Sequence, residues 1–448
     1  MARHFTEAGL AEKAARLWGR AGQRSLTCSA LVEAIEQFTR AFTEISTLPM
    51  TPALRREQIK LQVALITPLG HVKGFTAPET KAAAEQAHVL IERAEALGER
   101  AEDPLLLFSV LHSFWVANTV ALKGDVACDL AGQFLALAEK QGATIPRMIG
   151  HRLMGASLLC TGLLAQGRTH LDQSVALYDP AEHRPLATRF GQDNRVAALS
   201  FRSVILWLSG CPDAARADTN NALSHAREVG QAATRMFALV YAGWSHIHCR
   251  DYAAAKAHLQ ELVSLADETR AVFWKTLGLS VQGWLFALAG QALDAVQLLT
   301  RGISALRSGG VTVWMPMYLA ALARAYAELG QFDDASRCIR EAMATIETTQ
   351  ERWCEAEVNR MAGEFALSPE PDAARAELYF TRALAVARAQ QAKSWELRAA
   401  MSMARLWRDQ GKRQQAHDLL APIYGWFTQG FDTLDLREGK ALRDELAQ

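Results

Sequence analysis

A recurring pattern of small and apolar positions runs through the C-terminal half of the chain. Each unit contains a marker alanine, and an apolar residue usually follows it four positions later. The marker alanines lie 40 or 41 residues apart, at Ala215, Ala255, Ala295, Ala335, Ala376 and Ala416. Because residues four apart share one face of a helix, each unit predicts a helix with an apolar stripe.

The residues before each alanine predict another helix, which is the first helix of the unit, and a turn that joins the two helices. Large residues lie nine positions before it and small residues twelve before it, with Glu364 as the departure from the small set. The position five before it is a glycine in four of the six units, at Gly210, Gly290, Gly330 and Gly411, and one of the departures is Arg250. Glycine adopts the left-handed conformation that ends many helices, so each unit reads as a helical hairpin.

The pattern predicts an all-α, tetratricopeptide-like α-solenoid of about ten helical hairpins with a C-terminal capping helix. We expect irregular helical repeats over 1–178, a connecting loop with a short helix over 179–194, regular repeats of about 40 residues over 195–433, and the last helix over 434–448. No segment shows the alternating pattern of a strand. Neighbouring hairpins must stack, because one hairpin cannot bury its own apolar face.

Composition narrows the class of function. Half of the 448 residues are hydrophobic, and 48 Lys+Arg balance 48 Asp+Glu. A neutral chain lacks the basic footprint of a nucleic-acid or membrane binder, so neither partner is expected. Seven widely spaced cysteines form no disulfide or zinc pattern, and the N-terminus lacks the apolar core of a signal peptide. We therefore expect a cytoplasmic protein.

Catalytic and metal motifs are weak. The stretch Gly70–Gly74 only superficially resembles a phosphate-binding loop, since it lacks the closing Gly-Lys-Ser/Thr. His246 and Cys249 could share a helix face, but two donors leave zinc short of its usual four ligands. The sequence therefore predicts no catalytic residue, no cofactor and no metal.

Tryptophans and arginines give the candidate binding site. Tryptophans recur near the start of the first helix of four units, at Trp274, Trp314, Trp353 and Trp395, where packing between repeats is the simpler interpretation. Six other residues fall in registers that usually face the concave groove: Trp207, Trp244, Trp284, Arg324, Arg405 and Arg408. These residue types anchor many interfaces, so a peptide or partner helix is one interpretation. The alternative is that the tryptophans pack against insertions and the arginines form a solvated face.

Three segments resemble a known family. They are HFTEAGLAEKAARLWGRAGQRS near the start, YDPAEHRPLATRFGQDNRVAALS in the middle, and a closing stretch that contains LLAPIYGWFTQGFDT. They are similar to the C-terminal tetratricopeptide region of bacterial signalling proteins that join a class III adenylate/guanylate cyclase, or a DNA-binding domain, to a signal-transduction ATPase. The cyclase aspartates and the ATPase phosphate loop of such proteins have no counterpart in this sequence. The resemblance implies a sensor or scaffold and transfers no catalytic residue.

Three functions of different classes follow. The leading hypothesis is a non-enzymatic solenoid that binds a protein or peptide partner and regulates a signalling ATPase or cyclase. The second is a small-molecule sensor of a transcriptional regulator, with its ligand in the concave groove, which the tryptophans near 207–284 favour. The third is a hydrolase or transferase with an unrecognised site, although no nucleophile–base pair or carboxylate pair stands out.

Overall fold

The computed structural model describes residues 1–99, 102–368 and 370–448, and within these ranges every regular element is helical. None of the described helices is long and apolar enough to cross a membrane. The longer helices are α1 (Ala2–Glu7), α2 (Ala11–Thr27), α3 (Leu31–Ser46), α4 (Pro52–Lys73), α5 (Pro78–Ala96), α6 (Leu105–Val120), α7 (Gly124–Lys140), α8 (Thr144–Cys160), α9 (Leu164–Ala176), α12 (Asn194–Leu208), α13 (Pro212–Val229), α14 (Ala232–His248), α15 (Tyr252–Glu268), α16 (Val272–Leu288), α17 (Ala292–Ser308), α18 (Met315–Glu328), α19 (Phe332–Thr349), α20 (Glu355–Phe365), α21 (Ala373–Gln390), α22 (Lys393–Asp409), α23 (Arg413–Gly425) and α24 (Leu434–Leu446).

In the described residues, twenty of these helices pair into ten consecutive hairpins. Hairpins 1 to 4 are α2–α3, α4–α5, α6–α7 and α8–α9, and hairpins 5 to 10 run from α12–α13 to α22–α23. The segment between hairpins 4 and 5 contains two one-turn helices, α10 (Pro180–His183) and α11 (Ala187–Phe190), joined by a 3-10 turn. The predicted all-α solenoid is confirmed.

The hairpin corners take the predicted geometry. Gly210 has φ +81°, and Arg250, one of the departures from glycine, adopts the same left-handed conformation with φ 58°. In five of the six regular units, the amide after the corner donates to the carbonyl of the large residue nine positions before the alanine, as from Cys211 to Leu206 (2.8 Å) and from Asp251 to His246 (2.8 Å). This pairing satisfies a carbonyl at the end of the first helix, which has no partner inside its own helix.

The solenoid turns tightly, so that each hairpin of the second half meets the hairpin five places before it. The carbonyl of Val120, at the end of α6, accepts hydrogen bonds from the amides of Thr312 (3.0 Å) and Val313 (3.1 Å), just before α18. The carbonyl of Cys160, at the end of α8, accepts from Arg352 (2.9 Å) and Trp353 (3.3 Å), just before α20.

The same register holds at the other hairpins. The hydroxyl of Ser29 in hairpin 1 accepts from the amide of Ala232 in hairpin 6 (3.3 Å). The Trp274 indole in hairpin 7 donates to Nδ1 of His71 in hairpin 2 (3.0 Å). The hydroxyl of Ser394 in hairpin 10 donates to a carbonyl of hairpin 5. Ten hairpins therefore make two turns of five, and the second turn stacks on the first.

The segment between hairpins 4 and 5 lies against the first helices of hairpins 2 and 3. The hydroxyl of Thr67 in α4 donates to the carbonyl of Arg189 (3.1 Å), and the Arg189 guanidinium pairs with Asp103 just before α6. Phe190 meets the ring of His112 in α6 edge-on, with centroids 5.3 Å apart. This connection, predicted as a loop with a short helix, thus packs inside the first turn.

The closing motif fastens the chain's end to hairpin 5. The side-chain oxygen of Gln429 accepts from the amides of Asp213 (3.0 Å) and Ala214 (3.1 Å), which are free amides at the start of α13. Asp432 receives both guanidinium arms of Arg216 (2.9 and 3.0 Å). The segment that most strongly resembles the family therefore joins the second turn to the first.

Two glycines test the packing inside the hairpins. A Cβ at Gly155 would lie 2.9 Å from the carbonyl oxygen of Gly167 and 2.6 Å from Leu171, whereas a Cβ at Gly132 in α7 would meet only a methionine methyl at 3.8 Å. We expect Gly155→Ala to lower the free energy of unfolding by about 1–3 kcal/mol through overpacking. Gly132→Ala should raise it by about 0.5–1 kcal/mol, because alanine favours a helix. Urea unfolding followed by circular dichroism measures both, and equal effects would contradict the packing described.

Candidate functional site

A cluster of tryptophans occupies the inside of the superhelix, where the first helices of the hairpins face one another. Trp244 lies at its centre, and its ring centroid is 5.2 Å from that of Trp284, 4.7 Å from Trp314 and 5.4 Å from Trp353. Tryptophans from the two registers of the sequence pattern thus meet in one place. Most of these pairs are edge-to-face, the arrangement that aromatic quadrupoles favour.

The tryptophans predicted to line a groove are buried. Trp207, Trp244 and Trp284 are 3%, 1% and 4% exposed. The structure therefore corrects the expectation that they face an open groove. Because the two turns of five hairpins stack directly on each other, the residues in the concave register contact the starts of helices in the second turn instead of solvent. These tryptophans therefore pack against residues of the second turn, and not against an insertion as the sequence suggested.

His248 completes the tryptophan cluster on the side of Trp207 and Trp395. Trp207 stacks on the His248 ring with centroids 4.2 Å apart and meets Trp395 edge-on at 4.8 Å. Burial, together with the charge of Arg398, lowers the pKa of His248 to about 3. The ring is therefore neutral at ordinary pH and acts as one more aromatic surface.

All three predicted arginines form ion pairs within the chain, and two of them pair with its last helix. Arg405 pairs with Glu438 (3.3 Å) and Arg408 with Glu445 (3.3 Å), and both carboxylates lie on α24. Arg405 and Arg408 are thus neutralised by the chain's own last helix. The third arginine, Arg324, is 39% exposed along its side chain and pairs with Glu328 one helical turn away.

Trp284 and Arg324 come together at a cavity of about 60 Å³ in the second turn. Its wall includes four arginines and one glutamate: Arg250, Arg324, Arg360, Arg398 and Glu357. Aromatic side chains, among them Tyr252 and Trp395, form the rest of the wall together with aliphatic and methionine side chains. The structure thus brings two of the six predicted residues to one cavity and places the other four elsewhere.

The arginines of this cavity belong to a chain of alternating charges. Arg250 contacts Asp435 (3.0 Å), and Arg398 reaches both Asp435 (2.7 Å) and Glu357 (3.6 Å). Arg360 donates to both oxygens of Glu357 (2.7 and 2.8 Å). Burial alone would raise the pKa of Glu357, but Arg360 and then Arg398 outweigh it and lower that pKa to about 2. Each buried charge therefore has an opposite neighbour, as a buried charge requires.

Sequence reasoning missed most of this network, yet the repeat pattern contained a signal for it. Glu364, the departure from the small position, is paired with Arg360 and accepts from the hydroxyl of Ser402 (3.1 Å). Arg250, a departure at the glycine corner, binds Asp435 of α24. These two departures from the repeat are therefore members of the ion network.

A second cavity, of about 90 Å³, lies between the two turns. Its walls are largely aromatic and come from seven consecutive hairpins, with Phe75 in hairpin 2 and Trp314 in hairpin 8 at the extremes. Ala156 and Cys160 of α8 form part of the wall. The cavity is separated from the arginine-lined one by the tryptophans around Trp244.

Glu351 is a buried carboxyl group beside the tryptophan cluster. It is fully buried, and its Oε1 accepts from the indole of Trp353 (2.8 Å) and the amide of Trp314 (2.9 Å). Burial raises the pKa of Glu351 to about 8, against the smaller opposing effect of the two hydrogen bonds. The group is therefore largely protonated at neutral pH, and one oxygen is sufficient to accept both bonds.

Glu351→Gln tests this assignment. Because the folded-state pKa of about 8 lies above the ordinary value of 4.5, the folded protein binds more protons between these values. Stability from this group is complete below pH 4.5 and is lost as pH rises towards 8, by about 1.4 kcal/mol per pH unit inside the window. The variant keeps the acceptor without the titration. As pH rises from 5 to 8, the unfolding free energy of the variant should increase relative to that of the wild type. Parallel curves of unfolding free energy against pH would contradict the assignment of Glu351 as a buried acid.

Comparison with known proteins places the fold in the class of tetratricopeptide-like solenoids. The structure is similar to a Rap protein complexed with competence and sporulation factor, with a TM-score of 0.59 at 11% identity, covering 86% of this chain and 99% of that one. It also matches a signal transduction ATPase with numerous domains and a tetratricopeptide repeat sensor from Pyrococcus horikoshii, with a TM-score of 0.41 at 9% identity, covering 92% of this chain and 55% of that one.

In sequence, the chain is 23% identical over 366 residues to an uncharacterised protein of Rhizobium meliloti (strain 1021). The match covers 80% of this chain, and the chain spans about a third of that relative (34%). No family model matches the sequence.

Proposed function

We propose that the chain is a non-enzymatic regulatory solenoid that binds a protein or peptide partner and forms the sensor or scaffold part of a signalling ATPase or adenylate cyclase system. The fold supports a protein-interaction or regulatory role. The resemblance of its first, middle and closing segments to the cyclase–ATPase family supports the signalling system.

The observation that carries the proposal is the arginine-lined cavity of the second turn. Arg324 stands at its edge with a part-exposed guanidinium, beside the aromatic wall formed by Trp284 and Tyr252. The other three arginines of the wall are held by Asp435 and Glu357, whereas Arg324 has only the part-exposed Glu328 as its carboxylate partner. Its guanidinium is therefore the one that can take an incoming anionic group, and a guanidinium binds a carboxylate through paired hydrogen bonds. With about 60 Å³ available, the cavity admits a side-chain carboxylate or a peptide's C-terminus, and the partner's remaining surface would lie outside it.

A charge-reversal pair tests this function. A mixed pool of fluorescent peptides rich in Asp and Glu is compared with a pool in which Asn and Gln replace them. We expect the acidic pool to bind more tightly and Arg324→Glu to weaken that binding about tenfold, a change of about 1.4 kcal/mol. Arg337→Glu is the matched control, since Arg337 lies on the second helix of the same hairpin with a side chain 64% exposed. Fluorescence anisotropy gives the affinities.

Equal affinity for the two pools, or equal losses in the two variants, would contradict binding at Arg324. The signalling role has its own readout in the same preparation. Addition of the wild-type chain should change the rate of a purified class III cyclase or signal-transduction ATPase encoded beside it, and Arg324→Glu should reduce that change.

The cavity between the turns favours a second function, the small-molecule sensor. Its walls combine aromatic side chains from both turns, as ligand pockets commonly do. A ligand there would contact hairpins that are distant in sequence, so its binding could be communicated to a partner through the stacking of the two turns.

A further inference from the structure

We propose that the cavity between the two turns binds a small, neutral, aromatic molecule of about one ring. This inference rests on the second proposed function and specifies the class of its ligand. The rings of the cavity wall, its lack of charge and its size together define this class of ligand.

The wall favours aromatic rings. Eight of the residues around the cavity are aromatic: Phe75, Trp115, Phe201, Phe237, Tyr241, Phe273, Trp274 and Trp314. Several already meet edge-to-face, such as Phe75 with Phe273 at 5.1 Å and Phe201 with Tyr241 at 5.1 Å. A planar ligand can extend these edge-to-face contacts, each of which adds about 0.5–1.5 kcal/mol beyond the burial of apolar area.

The wall also selects against charge. None of the described residues that line the cavity is Asp, Glu, Lys, Arg or His. Its two weak acids are neutral, because burial raises the pKa of the Cys160 thiol and of the Tyr241 phenol well above their ordinary values. An ion that entered would lose its hydration without gaining a partner, so the ligand must be neutral.

A change in the repeat pattern makes the space. In hairpin 4, Gly167 stands at the position of the repeat's alanine, and Gly155 is the small residue twelve positions before it. Ala156 is the residue that follows Gly155. In hairpins 6 and 7, the residue after the corresponding glycine is Trp244 or Trp284. Ala156 therefore replaces the large indole of those hairpins with a single methyl group beside the cavity.

The size limits the ligand. About 90 Å³ is smaller than the roughly 150 Å³ apolar cavity known to hold benzene, but this cavity is not closed on all sides. Phe75, Gln192 and Phe273 on its wall are part-exposed, so they form its mouth. A single ring fits with its substituent towards the Gln192 amide.

Three single-ring probes test the proposal: phenol and cyclohexanol, which are close in size, and the anion benzoate. Titration calorimetry on the full chain should give measurable binding of phenol, binding about 2- to 12-fold weaker for cyclohexanol from the lost aromatic contact, and none for benzoate. Ala156→Leu should fill the cavity and weaken phenol binding at least tenfold. Val204→Leu is the matched control, because Val204 is buried at the same register of hairpin 5 and does not line the cavity.

Circular dichroism confirms that both variants are folded before they are titrated. Equal affinities for phenol and cyclohexanol would overturn the aromatic class, and unchanged phenol binding in Ala156→Leu would overturn the site. If phenol does not bind while the acidic peptides still distinguish Arg324→Glu from Arg337→Glu, the ligand proposal fails and partner binding at Arg324 stands.

Discussion

A helix ends with backbone carbonyls that its own residues cannot satisfy, and this constraint organises the molecule. In an open solenoid, water would meet those carbonyls at the inner ends of the first helices. Here the carbonyls of Val120 and Cys160 receive amides from the chain five hairpins later. Each such pairing can form only when five hairpins complete one turn, so the same bonds that satisfy the first turn fix the curvature of the whole superhelix.

The tight turn explains where the unusual side chains lie. Stacking two turns removes the concave groove and leaves an interior that must be filled. Tryptophans from both turns fill most of it, and the buried acid Glu351 accepts hydrogen bonds from two of them. The charges that run from Arg250 through Asp435 and Arg398 alternate in sign and connect α24 to the repeats. Two of the spaces that remain are the cavities described above, one lined by arginines and one by aromatic rings.

Much of the fold follows from the sequence because it depends on local contacts. The alanine spacing, the small residue beside it and the glycine corners involve neighbouring hairpins only, and they predict the helices and their number. The stacking of the turns depends on the angle between hairpins, which no single residue encodes, so the burial of Trp207, Trp244 and Trp284 could not be foreseen. The pairing of Arg405 and Arg408 with α24 depends on the same geometry. Two departures from the repeat, Arg250 and Glu364, pointed beyond the local pattern, and both are in the ion network.

Amide hydrogen exchange tests the five-hairpin turn most directly. The amides of Thr312, Val313, Arg352 and Trp353 lie outside the helices and are bonded only across the two turns. In the closed superhelix they should exchange at least about a hundredfold more slowly than the amides of Met50 and Thr51, which lie in an exposed connection between hairpins 1 and 2. Exchange of all six amides at the same fast rate would contradict the stacking of the two turns.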